Sequence, residues 1–357
     1  MKQRSNSLWP VLTLVAALSC VFAAVAVAAT ITGTPGKDKL VGTPDADTIN
    51  ALADNDRIRA LGGDDTVNAG RGRDRAHGGD GADTINGGFG FDRLFGGDGN
   101  DKVRGNQGRD RLRGGPGDDE LRGGNGRLGR RADRIHGNAG NDTVFGGRGR
   151  DLITGNLGDD LLNGNGGRDR IFGGPGQDTI NGGPGVVASQ RNRRRGNRRA
   201  ARRFGDRLHG GDDNDTINGN NGHDLISGGK GDDTSSGGDA NDLIFANLGA
   251  DKSFGGDGND VLWALARGDV TAPGDPTGDE LTGGNGDDTF RVRDGEVDKI
   301  DCGAGNDTVH ADQYDVIVDA TATNANGSCE RVVRNSTPDA DTDENNTQSP
   351  KEDRKER

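Results

Sequence analysis

The sequence has few of the residues that build an ordinary hydrophobic core. Of its 357 residues, aromatic side chains make up 4%, hydrophobic residues make up 29%, and methionine occurs once. A highly charged chain with so little apolar surface cannot offset the conformational entropy of folding by burial alone. Glycine, in contrast, occurs 66 times. The composition therefore excludes a conventional globular domain. It leaves either disorder or a repetitive fold that something other than apolar burial stabilises.

The sequence also lacks the motifs of common catalytic sites. It contains no H-E-x-x-H, no G-x-S-x-G, no Walker loop with its Lys-Ser/Thr ending, and no cysteine-histidine nucleophile pair. Its five histidines fall on repeat positions rather than in one cluster. We therefore predict that the chain is not an enzyme, and catalytic activity hidden within the repeats is the alternative.

The first 29 residues have the pattern of an export signal. Lys2 and Arg4 precede an apolar run over residues 11–27, and the small residues at 26–29 favour cleavage after Ala28 or Ala29. The apolar run is long for a cleaved signal, so a retained N-terminal anchor is the alternative. A lipid anchor on Cys20 is a weaker alternative, because Ala17-Leu18-Ser19 before it lacks the usual order of residues for lipidation. We predict a secreted, extracellular protein without a transmembrane segment after cleavage.

Cysteine is scarce, with three residues in the whole chain. Cys20 lies within the predicted signal, which leaves Cys302 and Cys329 in the exported protein. An even pair of cysteines in an oxidising compartment predicts one disulfide. Two free thiols are the alternative.

A nine-residue repeat runs through most of the chain. Residues 78–86, 87–95 and 96–104 are consecutive copies, with glycine at the first, second and fourth places, aspartate at the sixth and a large apolar residue at the eighth. Some places vary, but the sixth-place aspartate recurs from Asp38 to Asp260. Insertions at 127–132 and 186–205 interrupt its register. Self-similarity at a fixed period predicts a solenoid.

The pattern G-G-x-G-x-D-x-U-x, with U a large apolar residue, resembles the RTX (haemolysin-type) calcium-binding nonapeptide over about residues 33–318. The resemblance implies an exported bacterial calcium-binding protein with an all-β fold, a parallel β-roll or β-solenoid. In that fold six residues form a calcium-binding turn, three form a short strand, and two such repeats close one coil. The residue types agree, because glycine at places one, two and four permits positive φ and aspartate supplies the hard oxygen that calcium prefers.

The resemblance implies several bound Ca²⁺ ions with sixth-place aspartates as ligands. Stacked aspartates about 4.8 Å apart repel one another, so we expect the chain to fold only when calcium is bound. The alternative role of these aspartates is to form turns by bonding to their own backbone. The candidate ligands are Asp65, Asp74, Asp83, Asp92, Asp101, Asp110, Asp119, Asp142, Asp151, Asp160, Asp169, Asp178, Asp215, Asp224, Asp233, Asp242, Asp260, Asp288 and Asp307.

The seventh place alternates between two residue types, which predicts two chemically different sheets. Odd repeats carry arginine, at Arg57, Arg75, Arg93, Arg111, Arg134, Arg170 and Arg207. Even repeats carry threonine, at Thr48, Thr66, Thr84, Thr143, Thr179, Thr216, Thr234, Thr289 and Thr308. The ninth place points the same way from a strand. It adds histidine and aromatic residues to the arginine face and asparagine to the threonine face.

The arginine face and the insertions together form a candidate site for an acidic polysaccharide or another cell-surface polyanion. Its predicted residues are Arg57, Arg75, Arg93, Arg111, Arg134, Arg170, Arg193, Arg194, Arg195, Arg198 and Arg199. The alternative is that this charge only offsets an acidic protein, with arginines paired to neighbouring acids. An ice-binding threonine face is disfavoured because Lys102, Glu120 and Leu161 interrupt the column.

The predicted domain organisation has four parts: a signal peptide at 1–29, a calcium-binding β-roll at 30–318, a C-terminal cap at 319–333 and a disordered polar tail at 334–357. Ser235 and Ser253 fall at the core place. We therefore expect residues 228–254 to be the loosest part of the roll.

The primary prediction is a secreted calcium-binding repeat protein with a structural or surface-interaction role. The alternative is a calcium-dependent polyanion or carbohydrate binder.

Overall fold

The computed structural model describes residues 27–125, 133–184, 205–264, 274, 276–320 and 327–335. These residues form thirty β-strands in two parallel sheets of fifteen strands each, which confirms the predicted all-β solenoid. The described residues contain no helix long and apolar enough to cross a membrane. Successive strands alternate between the two sheets, so two strands and two turns make one coil.

The odd-numbered strands form one sheet, which we call the Thr sheet. It contains β1 (Thr30–Thr32), β3 (Thr48–Asn50), β5 (Thr66–Gly72), β7 (Thr84–Gly90), β9 (Lys102–Gly108), β11 (Glu120–Asn125), β13 (Thr143–Gly149), β15 (Leu161–Gly167), β17 (Thr179–Pro184), β19 (Thr216–Asn221), β21 (Thr234–Asp239), β23 (Lys252–Asp257), β25 (Glu280–Asn285), β27 (Lys299–Ala304) and β29 (Val316–Ile317).

The even-numbered strands form the other sheet, which we call the Arg sheet. It contains β2 (Lys39–Val41), β4 (Arg57–Gly62), β6 (Arg75–Asp80), β8 (Arg93–Asp98), β10 (Arg111–Pro116), β12 (Arg134–Ala139), β14 (Leu152–Leu157), β16 (Arg170–Pro175), β18 (Arg207–Asp212), β20 (Leu225–Lys230), β22 (Leu243–Leu248), β24 (Val261–Trp263), β26 (Thr289–Val292), β28 (Thr308–Ala311) and β30 (Arg331–Arg334).

The strands pair in register, repeat against repeat. Ile85 lies opposite Val103 on the Thr sheet, and Leu94 lies opposite Leu112 on the Arg sheet. Each partner is two nonapeptides further along the chain, and this spacing recurs wherever no insertion intervenes. Because identical places stack, each column of the repeat becomes a row along the roll.

The core is the eighth-place column of each sheet. These side chains are fully buried between the sheets from Ile49 to Ile244, and a second apolar cluster runs from Leu262 to Cys329. Ser235 and Ser253 lie opposite each other in this column, as predicted, and both are buried. Their hydroxyl groups have no hydrogen-bond partner among the described residues. The apolar column of the Thr sheet is therefore broken for two consecutive strands.

The prediction that Thr289 and Thr308 belong to the Thr sheet is wrong. Thr289 in β26 pairs with Val261, and Thr308 in β28 pairs with Thr289, so both lie on the Arg sheet. The physical reason is the spacing after β24. Val261 and Glu280 begin consecutive strands, yet they are 19 residues apart rather than nine. Counting by nines through this longer segment changes the parity of every later repeat.

The C-terminal end of the roll carries the predicted disulfide. Cys302 of β27 is bonded to Cys329, with an S–S distance of 1.94 Å and a Cα–Cα distance of 5.3 Å. β29 pairs with β27 on the Thr sheet, and β30 pairs with β28 on the Arg sheet. The chain that follows β28 therefore supplies the last strand of each sheet.

Several predicted features lie outside the described residues. They are residues 1–26 of the export signal, the insertion at 127–132, residues 186–204 of the second insertion with Arg193, Arg194, Arg195, Arg198 and Arg199, and the tail from residue 336. In the sequence, one insertion lies between β11 and β12 and the other between β17 and β18, so each follows a strand of the Thr sheet and precedes a strand of the Arg sheet.

Candidate metal centres in the turns and a basic face

The sixth-place aspartates lie in two columns, one along each edge of the roll. We call the turns that lead into the Thr sheet the first edge and those that lead into the Arg sheet the second edge. The first edge carries Asp65, Asp83, Asp101, Asp119, Asp142, Asp160, Asp178, Asp215 and Asp233, and the second edge carries Asp74, Asp92, Asp110, Asp151, Asp169, Asp224, Asp242, Asp260, Asp288 and Asp307. All of these side chains are buried, with at most 3% of their surface exposed.

The same columns contain aspartates that the sequence prediction left out of the ligand set. Asp56, Asp133, Asp206, Asp251 and Asp279 are equally buried at the sixth place. Asp133 and Asp206 follow the two insertions, and Asp279 ends the long segment after β24. The sequence contains a signal for them, because each of these aspartates directly precedes the seventh-place residue that begins a strand.

One oxygen of each carboxylate is used to join neighbouring coils. The backbone N–H of Asp83 donates to Oδ1 of Asp101 at 2.8 Å, and that of Asp101 donates to Oδ1 of Asp119 at 2.7 Å. The second edge repeats the pattern, as Asp92 N–H donates to Oδ1 of Asp110 at 2.9 Å. The aspartates are therefore not simple turn-formers, because each side chain bonds to a different coil.

The other carboxylate oxygen has no such use. For every predicted ligand aspartate, Oδ2 is buried and has no hydrogen-bond partner in the described part of the chain. Buried polar atoms in folded proteins are normally paired. Two columns of unpaired buried oxygens are therefore costly unless each carboxylate meets a cation or takes up a proton.

Backbone oxygens lie beside these unpaired atoms. A Cβ atom built on Gly164, at the first place of its repeat, would lie 2.7 Å from Oδ2 of Asp169 and 2.6 Å from the carbonyl oxygen of Gly182. A carboxylate oxygen and a carbonyl oxygen of the next coil thus converge on one point. Hard oxygen donors of these two kinds are the ligands that Ca²⁺ prefers, so the residues present fit that ion.

The explanation of the first-place glycine needs a correction. Gly79 and Gly81, at the second and fourth places, have φ values of 135° and 126°, as predicted, but Gly78 at the first place does not have positive φ. Its hydrogen side chain is required for space, because a Cβ atom there would collide with Oδ2 of Asp83. Glycine at most first places therefore leaves open the space beside the carboxylate, whereas Ala51, Ala60, Ala69 and Ala246 place a Cβ atom there.

Burial and like charge raise the pKa values of the column aspartates. Burial raises the pKa of Asp83 from 3.8 to about 7, against the lowering effect of the Asp65 N–H, and the neighbouring Asp101 and Asp65 raise it further. Burial also raises the pKa of Asp169 to about 9, and the Asp206 and Asp151 carboxylates contribute to the rise. Without a cation, these carboxyls favour the protonated form near neutral pH.

The outer face of the Arg sheet is basic. Arg57, Arg75, Arg93, Arg111 and Arg134 are exposed and lie opposite one another on five consecutive strands. None of the five forms an ion pair with another residue in the described ranges. The guanidinium of Arg113 lies over the Phe95 ring at 5.6 Å, and His77 stacks on Phe95 at 6.0 Å.

On the Thr sheet, several charged side chains form ion pairs with one another. Lys252 and Lys299 flank Glu280 on three consecutive strands and contact its two carboxylate oxygens at 3.6 and 2.8 Å. Glu120 pairs with Arg104 and Arg122 at 3.8 and 2.6 Å. Arg104, Arg122, Lys252 and Lys299 on this sheet thus have acidic partners, whereas Arg57, Arg75, Arg93, Arg111 and Arg134 on the other sheet have none in the described ranges.

Between residues 60 and 168 the two edges also differ in charge, which sequence analysis missed. On the second edge, the guanidinium groups of Arg71 and Arg73 lie over the rings of Phe89 and Phe91 at 5.6 and 5.4 Å. A shallow cavity of about 300 Å³ beside them is lined by Arg73, Phe89, Phe91, Gln107 and Asn125. Arg109, Arg148, Arg150 and Arg168 continue this edge, while the first edge carries Asp80, Asp98, Asp118 and Asp159. In the sequence, this difference is visible at places three and five of the repeats. These places hold arginine or phenylalanine in several repeats of the second edge and aspartate in several repeats of the first edge.

The histidines do not form a cluster. His77, His136, His209 and His310 lie on β6, β12, β18 and β28, at least three coils apart. His136 Nδ1 contacts Thr154 Oγ1 at 2.5 Å, and His209 Nδ1 contacts Ser227 at 3.2 Å. In the described part of the chain, the one compact group of three potential metal-binding side chains is Asp294, Glu296 and Asp298.

A sequence model described as the RTX calcium-binding nonapeptide repeat in four copies matches much of the chain. The matched segments are residues 32–67, 60–94, 95–127, 129–153, 154–186, 203–235 and 227–262. Together they cover more than half of the sequence. No curated protein matches the chain.

Proposed function

The chain belongs to the RTX calcium-binding nonapeptide repeat family and is a calcium-binding β-roll protein, and from this premise we propose that it is an exported protein that folds when calcium fills both edges of the roll. Its role in this proposal is structural or surface-interacting, and the proposal contains no catalytic step. The unpaired Oδ2 atoms of the two aspartate columns carry it.

The proposed ion sites use the turns of both edges. Sixth-place aspartates such as Asp83 and Asp169 supply Oδ2, and first-place residues such as Gly182 supply carbonyl oxygens. Bound calcium supplies the positive charge that lets adjacent carboxylates remain ionised inside the roll. Because an unfolded chain holds no preformed site, the binding free energy becomes folding free energy.

Far-UV circular dichroism of the mature chain during a calcium titration tests this proposal. We expect little β-structure in calcium-free buffer at neutral pH, a cooperative gain of β-signal with calcium, and no equivalent gain with magnesium. A full β-signal in calcium-free chain at neutral pH contradicts calcium-dependent folding.

Export rests on the N-terminal sequence and on the disulfide. Residues 1–29 carry the signal-like pattern, and Cys302 and Cys329 are bonded, which suits an oxidising compartment. Mass spectrometry of protein from culture medium and from cells tests the proposal. A mature N-terminus at Ala29 or Thr30 in the medium supports it, and an intact N-terminus found only in the cell fraction contradicts it.

A second candidate function is polyanion binding, favoured by the unpaired arginine row. Arginines stacked on adjacent strands repel one another unless an anion lies over them. Arg57, Arg75, Arg93, Arg111 and Arg134 have no acidic partner in the described ranges, although acids are abundant elsewhere. A linear acidic polysaccharide would meet one guanidinium on every strand, about 4.8 Å apart.

Heparin chromatography at physiological salt tests this second function. We expect neutralisation of Arg93, Arg111 and the arginines of 186–205 to abolish retention of the calcium-loaded chain. The matched control neutralises Lys252 and Lys299, which lie on the opposite sheet and already contact Glu280. Equal retention of the arginine variant and the wild type would remove polyanion binding from consideration.

A further inference from the structure

The turn between β26 and β27 differs from the nonapeptide turns. Thr289 and Lys299 begin consecutive strands ten residues apart rather than nine. Val292 and Arg293 replace the two leading glycines, and the turn contributes three acids, Asp294, Glu296 and Asp298. An ordinary turn buries one carboxylate, whereas all three are buried here, with exposures of 4%, 2% and 0%. The turn lies outside the segments that match the repeat family.

The three carboxylates converge. One oxygen from each of Asp294, Glu296 and Asp298 lies within 4.8 Å of the others. Asp298 is completely buried, and its Oδ1 accepts a hydrogen bond from the Asp279 N–H at 2.8 Å. Its Oδ2 has no hydrogen-bond partner within the described ranges. An unpaired anionic oxygen therefore lies in the interior beside two further carboxylates.

Neighbouring coils add more buried acid to this place. Asp279 lies one coil before the turn and Asp315 one coil after it, and Asp315 Oδ1 accepts from the Asp298 N–H at 3.3 Å. Burial raises the pKa of Asp298 well above its usual value, and the Asp294, Asp279 and Asp315 carboxylates raise it further. Asp279 shows the same direction for the same causes, with burial first and Asp251 next.

Two arginines near the end of the roll donate hydrogen bonds to backbone carbonyl oxygens. The guanidinium of Arg293 donates to the carbonyl oxygens of Ala311 and Val333 at 3.3 and 3.0 Å. That of Arg334 donates to the carbonyl oxygens of Asp312 and Asp315 at 2.8 and 3.1 Å. Arg293 thus ties this turn to β28 and β30, and Arg334 ties β30 to the segment that precedes β29.

We infer that Asp294, Glu296 and Asp298 form a separate site for a hard divalent cation, with calcium as the ion, that fixes the last coils of the roll. The site differs from the repeat turns because side-chain carboxylates rather than one carboxylate and backbone carbonyls supply its oxygens. Calcium accepts six to eight oxygens and tolerates bidentate carboxylates, whereas magnesium requires a stricter octahedral set. Affinity rises with the number of charged ligands, so this site holds its ion more tightly than the nonapeptide turns do.

Retention of calcium under graded chelation tests the site. The full mature chain is loaded with calcium and dialysed against increasing EGTA, and bound calcium per chain is measured by atomic emission. We expect the wild type to keep about one ion after the repeat turns have emptied. Asp294→Asn and Glu296→Gln should lose that last ion, with affinity reduced by roughly tenfold or more. Asp287→Asn, which removes an exposed acid one turn earlier, is the matched control and should keep it.

Two results would overturn the site. One is a wild-type chain that retains no ion after the repeats have emptied, which would mean that Arg293 and protonation are enough to neutralise the cluster. The other is equal retention by Glu296→Gln and wild type. Circular dichroism in excess calcium checks that each variant folds. The calcium titration of β-structure reports on the repeats separately, so loss of this site and failure of calcium-dependent folding give different results.

Terbium luminescence provides a second measurement that needs no folded acid variant. Tyr314 is the only tyrosine of the chain and directly precedes Asp315. When terbium is titrated into the folded, calcium-loaded wild type, we expect Tyr314-sensitised emission to saturate at about one equivalent of terbium. Tyr314→Phe should remove this emission and leave any Trp263 contribution. Emission that grows in proportion to the whole titration would contradict a separate tight site.

Discussion

The backbone N–H of Asp83 donates to Oδ1 of Asp101 one coil away, at 2.8 Å, while the second oxygen of the same carboxylate has no partner in the described ranges. The first contact aligns the coils without any ion. The second oxygen makes the aligned coils costly unless a cation or a proton is present. The roll should therefore become less stable as the pH rises and more stable as calcium is added.

We predict that acid partly replaces calcium in the metal-free chain. Burial raises the pKa of Asp74, Asp83, Asp92 and Asp101 to about 7, against an ordinary value of 3.8. A carboxyl with a higher pKa in the folded chain binds its proton more tightly there. Its contribution to stability is complete below pH about 4 and is lost as the pH rises through about 7.

Circular dichroism of the chain after calcium removal on a chelating resin, between pH 4.5 and 8, measures this effect. We expect more β-structure and a higher melting temperature at the acid end. With calcium present the midpoint calcium concentration should rise as the pH falls, since protons compete for the same oxygens. A metal-free chain that is less folded at pH 5 than at pH 8 contradicts the prediction.

Asp160→Asn and Asp159→Asn make a matched pair, because they remove the same charge from adjacent residues. Asp160 is buried with an unpaired Oδ2, whereas Asp159 is exposed and accepts from the Gln177 N–H at 2.8 Å. In calcium-containing buffer, we expect Asp160→Asn to bind one calcium ion fewer than the wild type. It should also need a higher calcium concentration for half-maximal folding. In calcium-free buffer, the same variant should contain more β-structure than the wild type, since it removes a buried charge.

Asp159→Asn should show neither effect beyond a small surface change. Calcium binding by equilibrium dialysis and thermal melts with and without calcium provide the measurements. Identical behaviour of the two variants would mean that the buried column does not bind the ion.

Gly164→Ala and Gly166→Ala test the cradle at the first place. A Cβ on Gly164 would lie 2.7 Å from Asp169 Oδ2 and 2.6 Å from the Gly182 carbonyl, whereas one on Gly166 would meet only the Gly147 carbonyl at 3.8 Å. We expect Gly164→Ala to weaken calcium binding and to lower the free energy of unfolding by about 1–3 kcal/mol. Gly166→Ala should change both little, and a loss of equal size in both variants would remove the special role of the first place.

Ser253→Val should stabilise the roll. The Ser253 hydroxyl is buried without a partner among the described residues, and the same place holds valine at Val67, Val103 and Val144. Replacing an unpaired hydroxyl with apolar surface should raise the free energy of unfolding by about 1–2 kcal/mol. Calcium-loaded thermal melts measure the change, with Ser227→Val as control because Ser227 donates to Asn247 at 2.6 Å. A destabilised Ser253→Val would show that the coil lacks space at this place.

Much of the fold could be predicted because one nine-residue pattern specifies both the turn and the strand. The eighth-place column from Ile49 to Ile244, the two sheets and the pairing of Cys302 with Cys329 are in the structure as predicted. The prediction failed where the spacing between consecutive strands differs from nine residues. The segment after Trp263 shifted Thr289 and Thr308 to the opposite sheet, because periodicity gives no information on how a longer turn returns the chain.

The site was predictable in kind but not in detail. The sequence predicted the sixth-place aspartates as calcium ligands, but it could not show which oxygen bonds to the next coil, because that depends on contacts between repeats. The cluster of Asp294, Glu296 and Asp298 was missed because it lies in a turn without the leading glycines. The charge difference between the edges was missed because places three and five vary most.

The alternation of strands between two unlike sheets limits how a gene for such a chain can change its length. Deleting eighteen codons removes one whole coil and leaves every later side chain on its original surface. Deleting nine exchanges the surfaces for all downstream residues and would break the arginine row in the middle. Duplications and losses compatible with a continuous basic surface must therefore occur in pairs of nonapeptides.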